Sequence, residues 1–73
     1  MKQTEDAEDI ILQFLLLEFE KRNSKNFYFK ARRLSRNLSL STRKISRVLT
    51  TLAVEGILLK EKRRLWKTNF IEE

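Results

Sequence analysis

The apolar residues of this 73-residue chain switch between helical and extended periods, and each switch marks an element. Residues 10–19, IILQFLLLEF, are apolar at eight of ten positions. Acidic residues precede this run and Lys21-Arg22 follow it. That arrangement complements a helix macrodipole and predicts a first helix over residues 5–22. Asn23 to Asn26 is a polar connection, and Phe27-Tyr28-Phe29 fits a brief strand. Ala31, Leu34 and Leu38 recur at helical spacing, which predicts a second helix near residues 30–37. Ser39-Leu40-Ser41 forms a short turn, with Ser41 suited to cap a third helix. In that helix Ile45, Val48, Leu49 and Leu52 follow the i, i+3, i+4, i+7 rule. Gly56, the single glycine, stands where a left-handed residue closes a helix. Beyond it, Ile57 to Lys60 reads as a strand, Glu61 to Arg64 as a charged loop, and Leu65 to Phe70 as a returning strand. Trp66, Thr68 and Phe70 share one face of that last strand.

The third helix has a distinctive wet side. At 100° per residue, with Ile45 at zero, the apolar stripe is centred near zero. Arg43 and Arg47 fall on the opposite face, at about 160° and 200°, with Thr50 at about 140°. Lys44 and Ser46 flank that face. Exposed helix faces commonly mix Glu with Lys, whereas this one holds no acid until Glu55.

The first helix raises a different question, because its apolar arc spans about 260° where a surface helix needs little more than about 100°. Leu17, Ile10, Phe14 and Ile11 suffice to cover a core. Leu12, Leu15, Leu16 and Phe19 continue the arc. Either the helix is covered on two sides, or these four residues form a homodimer interface, since such a patch is an aggregation liability in a monomer. The homodimer is the expectation taken forward.

Charge adds a direction to the pattern. The net charge is +6, unevenly spread. Residues 1–20 hold Lys2 against six acids, whereas residues 21–71 hold fifteen Lys and Arg against Glu55 and Glu61. Seven arginines fall between residues 32 and 64. Such asymmetry favours a polyanionic partner, and Arg favours bidentate contact with phosphates and bases. With no Cys and no His, disulfides, the usual zinc sites and Cys–His or Ser–His–Asp catalysis are excluded. One glycine leaves no Gly-rich phosphate loop, and the clustered acids of residues 5–9 are explained by the helix dipole. No enzyme activity, metal or cofactor is expected. No apolar run reaches a membrane span and the acidic start is unlike a signal peptide, so the expected setting is soluble and cytoplasmic.

The order helix, strand, helix, turn, helix, hairpin, together with LSRNLSLSTRKISRVLTTLAVEGILLKEKRRLW, resembles a winged helix-turn-helix domain. Leu34 to Leu38 is similar to that family's second helix. KISRVLTTLAVEGILLKE is similar to its recognition helix running into the first wing strand. The resemblance implies one α+β domain over residues 1–73, with the helix-turn-helix about 30–55 and the wing about 57–70. It also implies binding of double-stranded DNA, mostly as a transcription regulator. On that basis Thr42, Arg43, Lys44, Ser46, Arg47 and Thr50 belong to the DNA-facing helix. Lys62, Arg63 and Arg64 fall at the wing tip, and Lys30, Arg32, Arg33 and Arg36 of the second helix can grip the backbone, Lys30 and Arg33 foremost. A wing without Gly or Asn at its tip departs from the usual hairpin chemistry. Two other functions fit the same residues. One is an RNA- or ribosome-associated protein, with Tyr28 and Trp66 stacking on bases. The other is a protein-interaction module working through the first helix.

Overall fold

The computed structural model describes residues 7–71, and the expectations that fell on residues 1–6 and 72–73 lie outside them. Each helix ends in a local closure that its sequence supplies. Helix α1 (Ala7–Lys21) carries Glu8 and Asp9 in its first turn and Lys21 in its last. At its end Asn23 adopts φ 62°, a left-handed conformation that Asn tolerates better than most residues. The Asn23 and Ser24 N–H groups then donate to the Glu20 and Phe19 carbonyls at 3.2 and 2.9 Å.

Helix α2 (Ala31–Leu38) stops at Ser39, which takes φ 56° at a turn position where glycine is common. The Ser35 hydroxyl donates to the Leu40 carbonyl at 2.6 Å and locks that turn from inside the helix. Helix α3 (Thr42–Val54) is capped by Ser41, whose hydroxyl accepts from the Lys44 N–H at 3.1 Å. It closes through Gly56 at φ 86°. The Gly56 and Ile57 N–H groups donate to the Ala53 and Leu52 carbonyls, both at 3.0 Å. This is the paired closure in which glycine relieves the left-handed strain. A Cβ on Gly56 would meet nothing within 4 Å, so backbone conformation, not space, calls for glycine there.

Strands β1 (Tyr28–Phe29), β2 (Leu58–Lys62) and β3 (Leu65–Thr68) form one antiparallel sheet in the order β1-β3-β2. Among the described residues the architecture is therefore α+β, three helices and a three-stranded sheet in the chain order α-β-α-α-β-β. The β2–β3 hairpin corrects one expectation. Lys62 pairs with Leu65, so β2 runs two residues past Lys60 and the loop shrinks to Arg63-Arg64. The register shifts between Lys60 and Lys62, which leaves Glu61 without a partner across the hairpin. Arg64 takes φ 70°, standing in for the missing Gly or Asn. At the other end β3 stops at Thr68, and Phe70 lies half-buried beyond it.

The core gathers Ile11 and Leu15 from α1, Phe27 and Phe29 from β1 and its approach, Ala31 and Leu34 from α2, and Ile45, Leu49 and Leu52 from α3. Leu58 and Trp66 complete it from the hairpin. This corrects the phase expected for α1. Leu15, assigned to a free outer face, is wholly buried, while Leu17, assigned to the core, is 58% exposed. The buried stripe is rotated by about 80° from the expected one. The new centre lies beside Glu18, whose carboxylate is tied down by Arg22 at 3.6 Å and Arg33 at 3.8 Å. Phe19 also turns inward, meeting Phe70 edge to face with ring centroids 5.2 Å apart. Of the four residues expected at a dimer interface, Leu16 alone is exposed, at 40%, with Leu15 buried and Leu12 and Phe19 half-buried.

Candidate nucleic-acid interface

Ser41 and Gly56 fix where α3 starts and ends, and its core stripe fixes which side is wet. Ile45, Leu49 and Leu52 are buried, and Thr42, Arg43, Lys44, Arg47 and Thr50 are exposed. Neither α2 nor α3 carries an acid in its first turn, so both helix N-termini present positive dipole ends to solvent.

One side of α3 faces the hairpin across a groove of about 490 Å³. Thr42, Ser46 and Thr50, one helical turn apart, form its first wall. The opposite wall is Lys60, Arg63, Arg64 and Trp66 of the hairpin, and Lys30, Ala31 and Arg32 at the start of α2 close it. Six residues singled out in the sequence, Thr42, Ser46, Thr50, Arg63, Arg64 and Lys30, are thus brought to one groove. Arg43, Lys44 and Arg47 stand outside it on exposed α3 surface, and Lys62 is an exposed strand residue outside the groove.

The sequence reading missed Lys60, whose ammonium lies 4.8 Å from the Trp66 ring centroid. Lys60 sits opposite Trp66 in the hairpin, a juxtaposition that the register creates and linear spacing does not reveal. Arg32, ranked below Lys30 and Arg33 in the sequence, also lines the groove. Trp66 itself is only 3% exposed, so it is a core residue at the groove wall rather than a free stacking platform. Two hydroxyls on α3 are engaged within the helix. Thr50 Oγ1 donates to the Ser46 carbonyl at 2.9 Å and Thr51 Oγ1 to the Arg47 carbonyl at 3.2 Å. The lone pairs of Thr50 remain available as acceptors.

Charge pairing separates the cations into two groups. Among the described residues, ion pairs join Glu18 to Arg22 and Arg33. Arg33, expected to grip a nucleic-acid backbone, is thereby turned toward the end of α1. No described carboxylate pairs with Arg32, Arg43, Arg47, Arg63 or Arg64. Among the described residues no group of three His, Cys, Asp or Glu is placed to hold a metal ion, and no helix is long and apolar enough to cross a membrane. Compared with family models, with curated proteins and with solved structures, the chain matches none of them.

Proposed function

We propose that this chain is a double-stranded DNA-binding protein of winged-helix layout, acting as a small transcriptional regulator. In this reading α3 enters the major groove and the β2–β3 hairpin is a wing on flanking DNA. The element order and the Ser39-centred turn between α2 and α3 support the layout. The observation that carries the function is the set of arginines on and around the α3–hairpin groove that pair with no described carboxylate, with acid-free helix starts beside them. Like charges one helical turn apart repel by about 0.2–0.5 kcal/mol per pair, and a phosphate backbone removes that repulsion. Arg43 and Arg47 are the base-reading candidates, because guanidinium matches guanine O6 and N7. Thr42, Ser46 and Lys44 hold phosphates or base edges beside them. Exposed apolar residues on α1, Leu16 and Leu17, support a homodimer that would present two α3 helices to a two-fold site.

Binding to a duplex selected from a random pool, followed by fluorescence anisotropy across salt concentrations, tests the reading. Log K is expected to fall with log salt at a slope of about −0.9 per phosphate neutralised. Arg43→Ala and Arg47→Ala are each expected to weaken the selected site by about tenfold. Unchanged affinity and slope in both variants would overturn the proposal. A second reading, RNA binding, is favoured by the exposed Tyr28 ring, and competition between duplex DNA and structured RNA separates the two.

A further inference from the structure

Lys30 and Arg32 line the α3 groove and also a second, more open depression of about 430 Å³ between β1 and α2. Tyr28 forms one side of it, Phe29 and Leu65 supply further apolar surface, and Arg32, Arg33 and Arg36 line it from α2.

Tyr28 has little to do with the core. Its ring is 52% exposed, while Phe27 and Phe29, stacked at a tilt 5.9 Å apart, are buried on either side of it in sequence. The Lys67 ammonium lies 5.2 Å from the Tyr28 ring centroid and braces it. Lys67 is not among the residues that line the depression.

The cations here are as unusual as the ring. Arg32 and Arg36 lie one turn apart on α2, a like-charge pair that weakens a helix, and no described carboxylate compensates either of them. Arg33, by contrast, has Glu18 at 3.8 Å. An exposed aromatic ring, apolar surface and two uncompensated guanidinium groups match the two halves of a nucleotide, a π-face and a phosphate. Lys30 and Arg32 line both depressions, so the two adjoin.

We infer that the β1–α2 depression binds an unpaired nucleotide adjoining the duplex, its base stacked on Tyr28 and its phosphate held by Arg32 and Arg36. The inference rests on the duplex reading for what occupies the neighbouring groove. It adds a preference for duplex ends, frayed steps or single-strand junctions over uninterrupted duplex.

Anisotropy measurements on three DNAs test it: a blunt duplex, the same duplex with a short single-stranded extension, and the free single strand. Stacking on an aromatic side chain contributes about 1–3 kcal/mol per base, so the extension is expected to tighten binding at least about fivefold. Tyr28→Ala removes that gain and leaves the blunt-duplex affinity unchanged, whereas Tyr28→Phe keeps the gain. Circular dichroism of each variant checks the fold. Should Tyr28→Ala fail to fold, Arg36→Ala on exposed helix surface carries the same comparison. An extension that adds nothing, or a gain that survives both Tyr28→Ala and Arg36→Ala, overturns the inference. Failure of the blunt duplex to bind, with the single strand still held through Tyr28, overturns the duplex reading and the junction preference with it, whereas a bound blunt duplex that gains nothing from the extension overturns this inference alone.

Discussion

Thr68 is the fully buried polar side chain among the described residues, and its hydroxyl has two duties. It accepts from the Phe27 N–H at 3.0 Å and donates to Asn26 Oδ1 at 3.1 Å. Asn26 Oδ1 also accepts from the Phe70 N–H at 2.9 Å, so one polar cluster ties the entrance of β1 to the exit of β3. Thr68→Val keeps the shape and removes the acceptor. The stranded Phe27 N–H is expected to cost about 1–3 kcal/mol, a large part of the roughly 4–11 kcal/mol available to a domain of this size. Urea unfolding reads this as a lower midpoint at unchanged m, and an unmoved midpoint would remove the cluster from the account of stability. The sequence pattern put Thr68 on the same face as Trp66, and the burial of both agrees. The bond to Phe27 was invisible in it because the two residues lie 41 positions apart.

Elements with their stop signals nearby were legible, and elements positioned by distant partners were not. Helix α3 is the clearest case: Ser41 and Gly56 are both local, and its apolar stripe has polar gaps that fix its phase. Helix α1 has almost no such gaps, so its phase is settled by which apolar residues the rest of the core covers, Ile11 and Leu15, and the sequence alone does not show that. The hairpin was recognised, but not its register, which depends on Arg64 accepting a backbone conformation that arginine rarely adopts. Arg64→Gly is therefore expected to stabilise the fold by about 1 kcal/mol, since the left-handed penalty for a residue with a Cβ disappears. The same change deletes a groove cation and is expected to weaken DNA binding. Thermal unfolding and anisotropy on one sample check both signs, and a variant that gained or lost in both would refute this division. The groove was legible in its residue types and illegible in its membership, because Lys60 and Arg32 enter it only through tertiary placement.

For the whole molecule, the distribution of charge and apolar surface sets its behaviour in solution. The cations ring the α3 groove, while Leu16 and Leu17 stand 40% and 58% exposed on α1 beside Gln13 and Glu20. Sedimentation equilibrium is expected to give twice the 8.8 kDa chain mass, with Leu17→Glu shifting it to the monomer. A wild-type monomer at every concentration would remove the dimer from the proposal. With the dimer present, selected DNA is expected to show two half-sites about 34–36 Å apart.

The junction between α3 and β2 has a consequence for how such DNA would be chosen. Besides the two closing bonds at Gly56 and Ile57, the Asn69 N–H donates to the Ile57 carbonyl at 3.0 Å and the Asn69 side chain to the Gly56 carbonyl at 3.0 Å. Four hydrogen bonds converge on two residues, and they join the helix to both strands of the hairpin. These bonds anchor the base of the hairpin to the end of the helix, like the fixed arm of a caliper. A duplex that does not match the spacing of helix and hairpin must deform, and the energy of doing so depends on its sequence even where no side chain touches a base. If the chain binds duplex DNA as proposed, the junction would add discrimination by groove width to whatever Arg43 and Arg47 read.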